Sequence, residues 1–103
     1  MRIMLCCSDG MSTSLLVEKM KKAAQEEHLT AEIWAVGLAM LPSNLDNPPD
    51  VIMVGPQIKY KLKSIQEMFA GKHTKVEAID MRDYGAMRGD KVLGAALELM
   101  EGR

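Results

Sequence analysis

The sequence predicts an α/β sandwich on an open parallel sheet, and two observations carry that prediction. Four short apolar runs alternate with three amphipathic segments of helical period, the pattern of βαβ units. Two of the runs are uninterrupted by charge, whereas the other two carry a glutamate, which separates central strands from edge strands.

The first run, residues 2–6, is apolar after Arg2 and too short for a helix, so it reads as a strand buried on both faces. Residues 14–27 follow with Leu16, Met20, Ala23 and Ala24 at helical spacing. Glu18, Lys19, Lys21 and Lys22 lie on the other side, and Ser and Thr N-cap candidates open the helix. Residues 31–36 alternate loosely around Glu32 and Trp34, as a half-solvated strand does. Residues 40–49 are rich in Pro, Asn and Ser and predict a connection with at most a short helix.

Val51, Ile52, Met53 and Val54 form the second continuous run. After Gly55 and Pro56 a second helix carries Ile58, Leu62, Ile65 and Phe69 as a core stripe. Residues 75–79, with Glu77 between apolar neighbours, form the fourth strand. Residues 80–89 read as a polar loop containing Tyr84, and a last helix bears Val92, Leu93, Ala96, Leu97 and Met100. With right-handed crossovers, the central and edge assignments give strand order 2-1-3-4, a flavodoxin-like three-layer sandwich.

Whole-chain properties narrow the function classes. At 103 residues the chain fits one domain, residues 1–103, and its 48% hydrophobic and 26% charged content is that of a globular protein. A net charge of -1 supplies no basic field for nucleic acid or acidic lipid. No apolar run approaches the roughly 20 residues that span a bilayer, and no signal-peptide pattern opens the chain, so a cytoplasmic location is expected. The two cysteines are adjacent and make neither a disulfide framework nor paired zinc-binding arms; no metal and no cofactor are expected. Most of the ten methionines read as flexible core filler, but Met11 falls in a polar loop, where its thioether serves loop packing or docking.

In an open parallel sheet, ligands bind beyond the carboxyl ends of the strands at the point where strand order reverses. That point lies between the first and third strands, so the chemistry should gather at residues 7–14 and 55–58, with 37–42 and 80–88 on the flanks. His28 and His73 fall at the opposite edge and are disqualified as bases for Cys7. A thiol without a base must be activated by dipoles. Backbone N–H groups of residues 8–14 and the positive end of the following helix can stabilise either a thiolate at Cys7 or a phosphoryl group attached to it. Gly10 permits the turn, and Ser8, Ser12, Thr13 and Ser14 supply hydroxyls. An ordinary strand-to-helix turn with a buried cysteine is the alternative, and Cys6 reads as the last core residue of its strand.

The Walker A pattern is absent. A phosphatase loop of the C-x5-R type needs arginine six residues after the thiol to clamp the transition state, and Thr13 stands there. The loop can hold a phosphoryl group but is poorly built to hydrolyse its ester, which favours transfer. A flavin phosphate site would want aromatic walls that four aromatic residues, Trp34, Tyr60, Phe69 and Tyr84, supply poorly.

The stretch from Cys7 to Leu16, CSDGMSTSLL, resembles the phosphocysteine loop of IIB components of the lactose/cellobiose (chitobiose) type in the bacterial sugar phosphotransferase system. Val54, Gly55, Pro56, Gln57 and Ile58 resemble that family's second motif, Tyr84 and Gly85 match a third, and the likeness runs nearly end to end. The resemblance implies a fold similar to low-molecular-weight tyrosine phosphatases. It implies Cys7 as nucleophile, a phosphoryl-binding loop of Ser8, Asp9, Gly10, Met11, Ser12, Thr13 and Ser14, and Gln57 and Tyr84 beside it. It also implies two partners, a IIA phosphohistidine protein and a membrane IIC sugar transporter. Two other readings stay open: a phosphatase or arsenate-reductase-like enzyme, and a non-catalytic anion-binding regulatory module.

Asp9 departs from the family, whose members often carry a small residue there. At about 5 Å and an effective dielectric near 20, two unit charges repel by roughly 3 kcal/mol. Asp9 is therefore expected to point toward solvent or a partner.

Overall fold

The computed structural model describes residues 1–9 and 13–102. Four strands, β1 (Arg2–Cys7), β2 (Glu32–Gly37), β3 (Val51–Val54) and β4 (Lys75–Ala78), form one parallel sheet in the order β2-β1-β3-β4. This is the predicted order. β1 and β3 are central because almost every side chain on them is apolar and buried, while Glu32, Lys75 and Glu77 lie exposed on the two edges.

The period-two alternation of β1 divides the core. Ile3 and Leu5 face helices α1 (Ser14–Glu26) and α4 (Gly89–Met100), where Leu16, Met20, Val92 and Leu93 close the layer. Met4 and Cys6 face the other side, against Leu41, Ile58, Ile65 and Phe69. Each large apolar chain fully removed from water contributes about 1.5–3 kcal/mol. The two layers together hold the sheet between them, and the site inherits its rigidity from β1.

Three local assignments differ from the sequence reading. Pro56 starts a 3-10 segment, Pro56–Lys61, and the α-helix α2 (Leu62–Met68) follows only after a kink at Ile58 (φ -118°, ψ 25°). The apolar stripe still points inward, because Ile58, Ile65 and Phe69 are buried and Leu62 is half-buried. The polar loop after β4 contains a short helix, α3 (Met81–Gly85), capped by Asp80, whose carboxylate accepts from the Arg82 and Asp83 N–H groups at 2.8 and 3.2 Å. Those bonds hold the Asp80 carboxyl below its ordinary range. Third, the N-cap of α1 is Thr13, but its hydroxyl makes no capping bond; it is used elsewhere. The connection at 40–49 does carry a short helix, the 3-10 segment Leu38–Asn44.

The amino edge of the sheet is tied by Arg2, which stacks on Trp34 at 4.9 Å and donates to the Asn47 and Pro48 carbonyls. His28 follows α1 with φ 57°, and His73 lies 3.5 Å from the Asp50 carboxylate just before β4. Both histidines belong to this edge, away from the carboxyl end of β1.

Candidate active site at the carboxyl end of β1

β1 runs one residue further than the apolar run suggests, so Cys7 is the last residue of a central strand and not the first of a loop. Its register partner is Gly37 on β2. Cys7 has the same parity as Ile3 and Leu5 and is completely buried. The Thr13 hydroxyl, also completely buried, lies 3.6 Å from Cys7 Sγ. Its carbonyl accepts the first helical bond of α1, from Val17 N at 2.9 Å. The residue that would be a phosphatase's arginine is thus a neutral donor at the positive end of a 13-residue helix, aimed at the sulfur.

Asp9 meets the expectation only in part. Its side chain is exposed, but its Oδ1 lies 3.8 Å from Cys7 Sγ, so the carboxylate faces the thiol instead of turning wholly to solvent. The reason lies in the backbone. Asp9 forms an antiparallel bridge with Gly37, and a Cβ on Gly37 would stand 3.0 Å from the Asp9 carbonyl carbon and 3.2 Å from the Ser8 oxygen. Glycine lets β2 approach the loop this closely without the crowding that a side chain would bring. Gly37 is a positioning residue that periodicity could not mark; its one sequence signal is a glycine at the carboxyl end of the strand beside β1.

A second glycine shapes the other flank. Gly55 donates to the Cys6 carbonyl at 2.8 Å, and a Cβ there would lie 3.2 Å from Gln57 Oε1 and 3.6 Å from Cys7 Cβ. The Gln57 side-chain oxygen thus lies close over Gly55, although the residue as a whole is exposed. Tyr84 lies on α3, half-buried against the α1 and α4 layer. Ser8 and Ser14 are exposed on either side of the loop. Gly10, Met11 and Ser12 lie outside the described residues.

Cys6 differs sharply from Cys7. It points into the opposite layer, and burial, with the neighbouring Cys7 adding to it, pushes its thiol up to about 11 from 9.0. A folded value above the unfolded one means that the unfolded chain gives up this proton first. The stability that Cys6 contributes is whole below about pH 9 and is lost as pH rises through about 11. Urea unfolding at neutral pH and at about pH 10 should show a larger loss of stability in the wild type than in Cys6→Ala. Equal losses would contradict this.

The comparisons with known proteins agree with this geometry. Residues 2–95 match the family model described as the lactose/cellobiose-specific IIB subunit of the PTS system. The chain belongs to this family. It is 44% identical over 102 residues to the galactose-specific EIIB component of Lactococcus lactis subsp. cremoris, covering 95% of this chain and 94% of the relative. It is 42% identical to the oligo-beta-mannoside-specific EIIB component of Bacillus subtilis, covering 96% and 95%. The solution structure of a cellobiose-specific IIB protein from Borrelia burgdorferi superposes with a TM-score of 0.80 at 35% identity, over 99% of this chain and 93% of the other. A lactose-specific IIB domain from Streptococcus pneumoniae shares the fold with a TM-score of 0.81 at 14% identity, over 95% of each chain. This IIB chain is accordingly a phosphotransferase component of the sugar phosphotransferase system, and as such works with IIA and IIC components. Among its described residues, no helix is long and apolar enough to cross a membrane.

Proposed function

We propose that Cys7 carries the phosphoryl group between the two partners. The thiolate attacks the phosphorus of a phosphohistidine on IIA, so that the S–P bond forms as the N–P bond breaks. A sugar hydroxyl held by IIC then attacks the same phosphorus, and the S–P bond breaks as the O–P bond forms and the hydroxyl proton leaves. The observation that carries this reading is the buried Thr13 hydroxyl 3.6 Å from Cys7 Sγ at the start of α1. A neutral donor and a helix end favour thiolate and bound phosphoryl alike, and without an arginine they do little for hydrolysis. We assign Ser8, Asp9, Gly10, Met11, Ser12, Thr13 and Ser14 to the phosphoryl-binding loop, with Gln57 and Tyr84 beside it. Residues 1–103 act as one IIB unit in the cytoplasm.

Docking of the partners is supported by exposed apolar side chains on the segments that follow the four strands. Leu15, Met40, Tyr60 and Met81 are 54%, 56%, 77% and 72% exposed, and each belongs to the segment that follows a different strand, β1 through β4 in turn. Parallel topology sends all four segments away from the carboxyl edge where Cys7 lies. Water is displaced from such side chains when a partner covers them. Relatives named for galactose, cellobiose and oligo-beta-mannosides support a sugar of the cellobiose and lactose class, selected by IIC.

Reconstitution tests the reading. Membranes containing IIC, supplied with phosphorylated IIA, should phosphorylate sugar only when this chain is added. Equal sugar phosphorylation without it would refute the carrier role.

A further inference from the structure

We propose that Asp9 sets the protonation of the Cys7 thiol and weakens the hold of the site on the phosphoryl group, a proposal that rests on Cys7 being the carrier. The sulfur lies between two groups of opposite effect. Thr13 Oγ1 at 3.6 Å donates to sulfur and favours thiolate, whereas Asp9 Oδ1 at 3.8 Å only accepts and favours the protonated thiol. A carboxylate this close opposes the negative charge of the thiolate and, after transfer, that of the phosphoryl oxygens.

Asp9 cannot simply leave. Its backbone is bridged to Gly37, and a Cβ on Gly37 would crowd it at 3.0 Å, so the main chain sits close against β2 and side-chain rotation is the simplest way to separate carboxylate from sulfur. Gly37 on β2 and Gln57 and Gly55 after β3 are neutral, and Cys6 on β1 keeps its proton until about pH 11. Asp80, beyond β4, is engaged by the N–H groups of its own helix.

Two consequences follow from one charge. In the free protein the thiolate fraction at neutral pH is reduced, and the thiol proton must pass to solvent before the S–P bond forms. In the phosphorylated protein, repulsion between the Asp9 carboxylate and the phosphoryl oxygens shifts the balance toward donation. Asp9 is a positioning residue that tunes the carrier as a donor.

The test is the ultraviolet thiolate absorbance of the full chain titrated with alkali, with Cys7→Ser as the blank that isolates the Cys7 signal. Asp9→Asn should lower the Cys7 midpoint by about one pH unit, and Asp9→Glu should keep it near the wild-type value. Equilibrated with phosphorylated IIA, Asp9→Asn should retain about tenfold more phosphoprotein relative to free protein. A midpoint that is unchanged or raised in Asp9→Asn overturns the proposal. The titration needs no phosphoryl transfer, so a lowered midpoint in a chain whose Cys7 takes no phosphate would refute the carrier reading and leave the electrostatic effect of Asp9 in place.

Discussion

Cys7→Ser is expected to lose phosphoryl uptake from IIA by about a thousandfold or more while remaining folded. A serine hydroxyl is a far weaker nucleophile at neutral pH than a thiol, and no histidine stands at this edge of the sheet to activate it. The structural cost is small, because a hydroxyl at the end of β1 lies within reach of Thr13 and Asp9, and the exchange should change stability by about 1 kcal/mol. Transfer of radiolabelled phosphate from IIA, read beside a urea unfolding curve, separates the two effects. A variant that unfolds cannot be used to argue chemistry, whereas a folded variant with wild-type uptake would show that Cys7 is not the acceptor.

Two glycines of α4 are expected to respond in opposite directions when replaced by alanine. Gly89, buried at the first turn, faces the backbone of α1: a Cβ there would lie 2.5 Å from the Lys19 carbonyl carbon and 2.7 Å from its oxygen. Backbone atoms cannot rotate away, so the helices must separate, and overpacking of this kind costs about 2 kcal/mol. For a domain of this size the melting temperature should fall by roughly 10 °C. Gly94, in the same helix, has no neighbour within 4 Å of an added Cβ. Alanine there removes the helix cost of glycine and should raise stability by about 1 kcal/mol. Thermal unfolding of both variants checks the account of how α1 and α4 meet; a stable Gly89→Ala would mean that the helices are less close than they stand here.

The contrast between these glycines marks what could be read from the chain. Strand order was legible because charge placement alone separates β1 and β3 from β2 and β4. Cys7 was legible to within one residue as the meeting point of strand and loop, and Thr13 by its spacing from Cys7. The close approach of Gly37 to Asp9, and of Gly89 to Lys19, was not legible, because it depends on how distant elements pack. Asp9 is exposed as expected, but the approach of its carboxylate to the Cys7 sulfur was not legible, because neither local propensity nor charge pattern encodes the bridge that brings its backbone against Gly37. α3 was missed because five residues carry no usable period; its signal is a single capping aspartate.

The central claim is that one thiol, and no other group, carries the phosphoryl group. Incubation of the chain with phosphorylated IIA, followed by peptide mapping in the mass spectrometer under conditions that preserve thiol-linked phosphate, tests it most directly. The account predicts a single phosphoryl group on the peptide containing Cys7. Phosphate on a peptide bearing His28 or His73, with the Cys7 peptide unmodified, would contradict it.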